Sequence, residues 1–151
     1  MVPSLGRLPI RENVHVASDG SAVSLFRSMK ADNDGLPSVG PTARELGVRP
    51  GDDILVDTAG YVEPLSGGIS VSPGAADRLP EHRRPPEIGG TGKDPVWTLT
   101  SDVLPADLRY RPDDEDPDGH GTIEPVSRMT LDAYQQALRA TRSAWTLVES
   151  P

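Results

Sequence analysis

The chain has no cysteine, which excludes disulfide staples and thiolate metal sites and leaves its redox compartment undetermined. Large apolar residues are scarce. Leu, Val, Ile and Phe make up about a fifth of the 151 residues, just above the composition at which chains stay disordered. Basic residues are also in deficit, 15 against 23 acids, for a net charge of −8. That balance argues against a nonspecific nucleic-acid binder, although a local basic patch can still act on RNA. No apolar run approaches the roughly 20 residues that span a bilayer, so no membrane partner is expected. The opening "MVPSLGRLPIRENVHV" carries an Arg but no h-region, so no secretory signal is read there. A cytoplasmic protein is expected, with delivery into a target cell by a signal-independent route left open.

Glycine and proline, in contrast, are abundant, at 15 and 16 residues. Each proline removes a backbone donor and each glycine weakens an element interior, so short strands and many turns are expected. The length fits a single domain over residues 21–151, preceded by a loosely held lead-in over 1–20. "AVSLFRSM" (22–29) reads as the first strand, followed by a short helix in "GPTARELG", with Pro41 in its first turn and Gly47 as its stop. "DDILVD" and "YVEP" flank Thr58-Ala59-Gly60 like the arms of a hairpin. "GGISVS", "PVWTLT", "DLRYRP" and "GTIEP" read as strands, and a long proline-rich loop runs from Pro73 to Pro95. "MTLDAYQQALRATRSAW" is the strongest helix. Thr130 caps it, Asp132 suits its dipole, and Leu131, Tyr134, Leu138 and Trp145 share one face. About seven short strands and one or two helices make an α+β domain dominated by antiparallel pairing.

The loop's "GGTGK" invites a phosphate-cradle reading that its neighbours refuse. A P-loop needs glycine where Glu87 stands, Ser or Thr where Asp94 stands, and helical amides where Pro95 follows. Arg83, Arg84 and Lys93 instead make this segment a local concentration of positive charge. Among candidate site residues, Arg27 shares a strand face with Val23 and Leu25. A guanidinium there needs an anion, either a neighbouring acid or a ligand phosphate held bidentately. Ser70 and Ser72 share the face opposite Ile69 and Val71, as a polar edge or as groups facing a ribose. Asp114, Asp116, Asp118 and Gly119 match the first half of a calcium loop, but Pro125 occupies the position of the bidentate acid, and a solvated acidic turn is the competing reading. His120 and Glu124 lie on one strand face about 13 Å apart, too far to serve one reacting atom together.

The order of "LFR", "GDDILVDTAGYVEPLSGGISVS", "LPADLRYRPDD", "HGTIEP" and "RMTLDAY" resembles the small type VI secretion effector toxins related to ADP-ribosyltransferases. The resemblance covers about residues 23–145. It implies a split β-sandwich of two small antiparallel sheets with NAD in the cleft between them. It further implies that Arg27 supports the diphosphate or ribose, that Ser70, with Ser72, lines the nicotinamide pocket, and that His120 or Glu124 supplies the third functional group. Gly121 follows the histidine, which leaves stacking on nicotinamide to Tyr61 or Trp97. The implied activity is NAD-dependent transfer of ADP-ribose to a protein or nucleic acid, or NAD glycohydrolysis. An antitoxin or immunity protein is the implied partner. A non-catalytic NAD-fold interaction module and a calcium-binding β-domain are the rival readings.

Overall fold

The computed structural model describes residues 22–148. The expected lead-in over residues 1–20, with His15, lies outside them. The described residues form eight strands and one α-helix. In chain order these are β1 (Ser24–Ser28), β2 (Tyr61–Val62), β3 (Ile69–Pro73), β4 (Val96–Thr100), β5 (Leu108–Pro112), β6 (Gly121–Pro125), β7 (Met129–Thr130), α1 (Leu131–Ala140) and β8 (Thr146–Leu147). One sheet has the order β5-β6-β3-β1-β4-β8, and β2 with β7 makes a second. Every ladder between these strands is antiparallel. The result is the α+β class expected from composition and patterning.

The large sheet forks in its middle. β1 pairs with β4 along all five residues, from Ser24↔Thr100 to Ser28↔Val96. Its ladder with β3 holds only Leu25↔Pro73 and Phe26↔Ser72. Beyond that point β3 stays with β6, through Val71↔Gly121, Ser70↔Thr122 and Ile69↔Ile123. Arg27 and Ser28 on one side, and Ser70 and Val71 on the other, therefore border a gap where ladder bonds would otherwise continue.

The alternation read along β1 and β3 sends Leu25, Ile69 and Val71 into a core shared with Leu99, Leu108, Ile123, Leu138 and Trp145. α1 covers that core as its apolar face dictates. Thr130 caps it by accepting from the Ala133 amide at 3.0 Å. Tyr134, fully buried, reaches into the sheet, where its hydroxyl donates to Ile123 C=O at 2.5 Å and accepts from Ile69 N–H at 3.1 Å. Gly68 makes this approach possible, because a Cβ there would strike the Ile123 carbonyl. The helix ends before Trp145. Thr141 turns its hydroxyl back to Leu138 C=O, and Trp145 bonds that same hydroxyl from an extended segment.

Two local expectations fail for the same reason, long-range competition for the backbone. Residues 40–47 form no helix. The carbonyls of Ala43, Arg44 and Glu45 serve Arg27, the Lys30 amide and Arg27 again, so none is available four residues on. "DDILVD" and "YVEP" share the turn-closing bond from the Asp57 amide to Tyr61 C=O at 3.0 Å but form no ladder beyond it. Ile54 bridges to Gly67, the Leu55 amide reaches Ser66 C=O, and Tyr61–Val62 pairs instead with Met129–Thr130.

Candidate active site

A cavity of about 340 Å³ opens at the fork. β1 contributes Arg27 and Ser28, β3 contributes Ser70, Val71 and Ser72, and the segment ahead of β6 contributes His120. Arg49, Asp53, His82 and Arg83 complete its polar lining. Three guanidiniums thus face one carboxylate, in a chain whose overall charge is −8.

Arg27 is 5% exposed and has neither the acidic partner nor the ready bidentate fork expected of it. Its Nη1 donates to Ser70 C=O at 2.9 Å, and its Nη2 donates to the carbonyls of Glu45 at 2.9 Å and Ala43 at 3.2 Å. The guanidinium takes the place of the missing β1–β3 ladder and holds the gap open at a fixed width. Carbonyl dipoles solvate the charge without cancelling it, and its Nε is buried without a partner. Burial, followed by the nearby charge of Arg83, pulls its pKa down to about 10, so it is a full cation at neutral pH.

Arg83 comes from the loop that the P-loop comparison singled out. Its guanidinium donates to Ser28 C=O at 3.1 Å and to Ala43 C=O. Burial, opposed in part by Asp94, lowers its pKa. The glycines of "GGTGK" have a structural task. A Cβ on Gly90 would strike the carbonyls of Arg84 and Glu81, and one on Gly92 would crowd His82 C=O. Close packing of residues 89–92 on 81–84 is what fixes His82 and Arg83 at the cavity. Arg84 is spent inside the loop on the carbonyls of Leu79 and Ile88, and Lys93 lines a separate depression. Of the three cations read in this loop, Arg83 alone lines the cavity.

His120 Nδ1 lies 3.1 Å from Asp113 Oδ2. A carboxylate only accepts, so Nδ1 carries the proton and Nε2 of the neutral ring is left as an acceptor. Asp113 is held ionised, its pKa lowered first by the Glu115 amide and then by His120. The Asp113 amide also bonds His120 C=O, closing the β5–β6 turn beneath the ring.

The structure thus brings Arg27, Ser70, Ser72 and His120 together and leaves three other candidates out. Glu124 is completely buried away from the cavity, bonded to Arg109 at 2.8 Å and to the Leu65 amide at 2.8 Å. The register sets Arg109 directly opposite Glu124, which makes this carboxylate one half of a structural pair. Tyr61 lies in the small sheet with the Arg128 guanidinium 3.9 Å over its ring. Trp97 is a core residue whose Nε1 donates to Met29 C=O. Neither aromatic reaches the cavity. Gly121 is fixed by its neighbour strand, since a Cβ there would strike the Tyr110 ring. The calcium reading also fails. Among the described residues no three His, Asp or Glu side chains are grouped to hold a metal, and the 113–120 turn is closed by its own hydrogen bonds. Arg49 and Asp53 were missed because nothing in "RPGDD" distinguishes a cavity wall from an ordinary polar turn.

A model of the Tse2 ADP-ribosyltransferase toxin family matches residues 23–147. The chain belongs to that family. No curated protein and no solved structure matches it. The match spans both walls of the fork and every lining residue of the cavity. The resemblance in motif order is thereby confirmed at the level of a toxin family with ADP-ribosyltransferase activity.

Proposed function

We propose that the cavity at the fork binds NAD by its diphosphate and that the protein transfers ADP-ribose to a macromolecule, releasing nicotinamide. The observation that carries this reading is the convergence of Arg27, Arg49 and Arg83 on one cavity of a strongly acidic chain. The side chains of Arg27 and Arg83 are bonded only to backbone carbonyls, which leaves their charge to be met by an anion. Arg49, paired with Asp53 on the solvent side, adds a third guanidinium for a diphosphate. The volume sits at the lower end of the range for small-molecule sites, so it takes the reacting half of a dinucleotide with the remainder along the rim.

NAD, when bound, supplies an ADP-ribosyl group whose bond to nicotinamide breaks with both electrons leaving on nicotinamide and positive charge building on the ribose. The chain's own residues bind, orient and accept a proton. Arg83 and Arg49 meet the diphosphate directly, while Arg27, with both Nη atoms committed, acts through its field and by holding the walls apart. Ser70, exposed on β3, offers its hydroxyl to the ribose or the carboxamide. His120 presents Nε2 as the group that takes the acceptor's proton as the new bond to ribose forms. A toxin with this activity acts in the cytoplasm of its target and requires a neutralising antitoxin or immunity protein in the cell that makes it.

The test is calorimetric titration with NAD and ADP-ribose, alongside chromatographic detection of released nicotinamide with and without bacterial lysate. Both ligands are expected to bind, and Arg83→Ala should weaken them about tenfold or more. His120→Ala should keep binding and lose release. Wild-type protein that neither binds ADP-ribose nor frees nicotinamide would overturn the reading.

A further inference from the structure

Asp53 contributes the single carboxylate among the residues lining the cavity. Its placement is fixed at several points. The Asp53 carbonyl accepts from the Gly68 amide at 2.9 Å, and a Cβ on Gly67 would collide with that carbonyl, so residue 53 lies flat against the entry to β3. Its carboxylate accepts from the Arg49 amide at 2.7 Å, from Arg49 Nε at 3.2 Å and from Arg49 Nη2 at 2.9 Å. The Asp53 side chain is 13% exposed and that of Arg49 48%, so Arg49 forms the solvent side of the pair.

A carboxylate in this position works against a cavity built for an anion, because it repels the diphosphate that the three guanidiniums attract. Beyond closing the turn through Arg49, a carboxylate facing the cavity has a use there in meeting a positive charge. We infer that Asp53 is the anion that opposes the positive charge building on the ribose as its bond to nicotinamide breaks, an assignment that rests on the NAD reading above. An incoming diphosphate competes for Arg49, the outer partner, and so uncovers the carboxylate when the site fills. In the free protein burial would raise the Asp53 pKa, but Arg49's hydrogen bonds and charge together lower it, so the carboxylate is ionised before the diphosphate arrives. The role is electrostatic and asks for no proton transfer to or from Asp53.

The experiment compares Asp53→Asn and Arg49→Gln with wild type by nicotinamide-release kinetics, calorimetric ADP-ribose binding and melting temperature. Asp53→Asn is expected to lower kcat about 100-fold, the scale of removing one preorganised electrostatic group. Its KM and its ADP-ribose affinity should be unchanged or improved, because a like charge has left the anion site. Arg49→Gln should place its loss in KM and ADP-ribose affinity instead. A kcat for Asp53→Asn within threefold of wild type would overturn the assignment. So would a loss of kcat that comes with weaker ADP-ribose binding and a lower melting temperature, which marks a purely scaffolding carboxylate. Should Asp53→Asn fail to fold, Arg49→Gln decides: a kcat loss without a KM change overturns, and a KM loss supports. Wild type that shows neither release nor ADP-ribose binding sinks the NAD reading itself, and the assignment with it.

Discussion

Tyr134→Phe removes one oxygen atom from the interior and tests how the helix holds the fork. The hydroxyl sits between β3 and β6 at the Ile69↔Ile123 pair, giving a proton to one strand's carbonyl and taking one from the other strand's amide. Phenylalanine keeps the ring packing but withdraws a partner from each of two buried backbone groups, at roughly 1–3 kcal/mol apiece. The gain from no longer burying a hydroxyl offsets about 1 kcal/mol, leaving a net loss of about 3 kcal/mol. For a chain of this length that corresponds to a fall in melting temperature of about 6–12 °C. Burial holds the phenol's pKa well above its ordinary value, so the deficit should be constant from neutral to mildly alkaline pH. Thermal unfolding followed by circular dichroism measures it. A variant melting within about 2 °C of wild type would show that the hydroxyl bridge carries no net stability and that β3 is positioned by its ladder alone.

Two further predictions concern the cavity loop. Asp94 is buried and bonded twice by Arg44, at 2.6 and 2.7 Å, which with its neighbouring charges lowers its pKa. The pair's contribution should be complete above the ordinary carboxylate range, about pH 4, and lost as pH falls toward the lowered folded value. Asp94→Asn should therefore be less stable than wild type at pH 7, with the gap closing below about pH 3 in urea titrations. Gly90→Ala drives a Cβ into the Arg84 and Glu81 carbonyls, so it should weaken ADP-ribose binding severalfold by displacing Arg83. Its melting temperature should fall as well, because the atoms struck are backbone carbonyls and the loop has to shift; calorimetry beside a thermal melt measures both effects.

The elements that alternation and capping predict are those whose partners lie on their own periodic face. β1, β3, β4, β5 and β6 were legible from alternating apolar residues, and α1 from Thr130 and its Leu131–Tyr134–Leu138 stripe. The 40–47 helix and the full 52–64 hairpin were not, because their backbone groups are claimed by partners outside those segments, Arg27 and Lys30 for the first and Ser66 and the Met129–Thr130 strand for the second. Arg27, Ser70, Ser72 and His120 could be singled out as unusual polar residues on strands or strand ends. Whether Glu124 would join them could not be read, because its partner Arg109 is set by the β5–β6 register.

What the amino-acid sequence determined by itself is thus the antiparallel α+β class, the long helix, the failed P-loop and the polar residues able to do chemistry. All of these depend on period, spacing and residue type within short windows. The tertiary structure alone decided that the β1–β3 ladder stops after two pairs, that Arg27 bridges the opening, and that the Arg49–Asp53 turn and the loop carrying Arg83 meet to line it. Those facts depend on where strands diverge and which distant carbonyls accept a proton, and no local pattern encodes either.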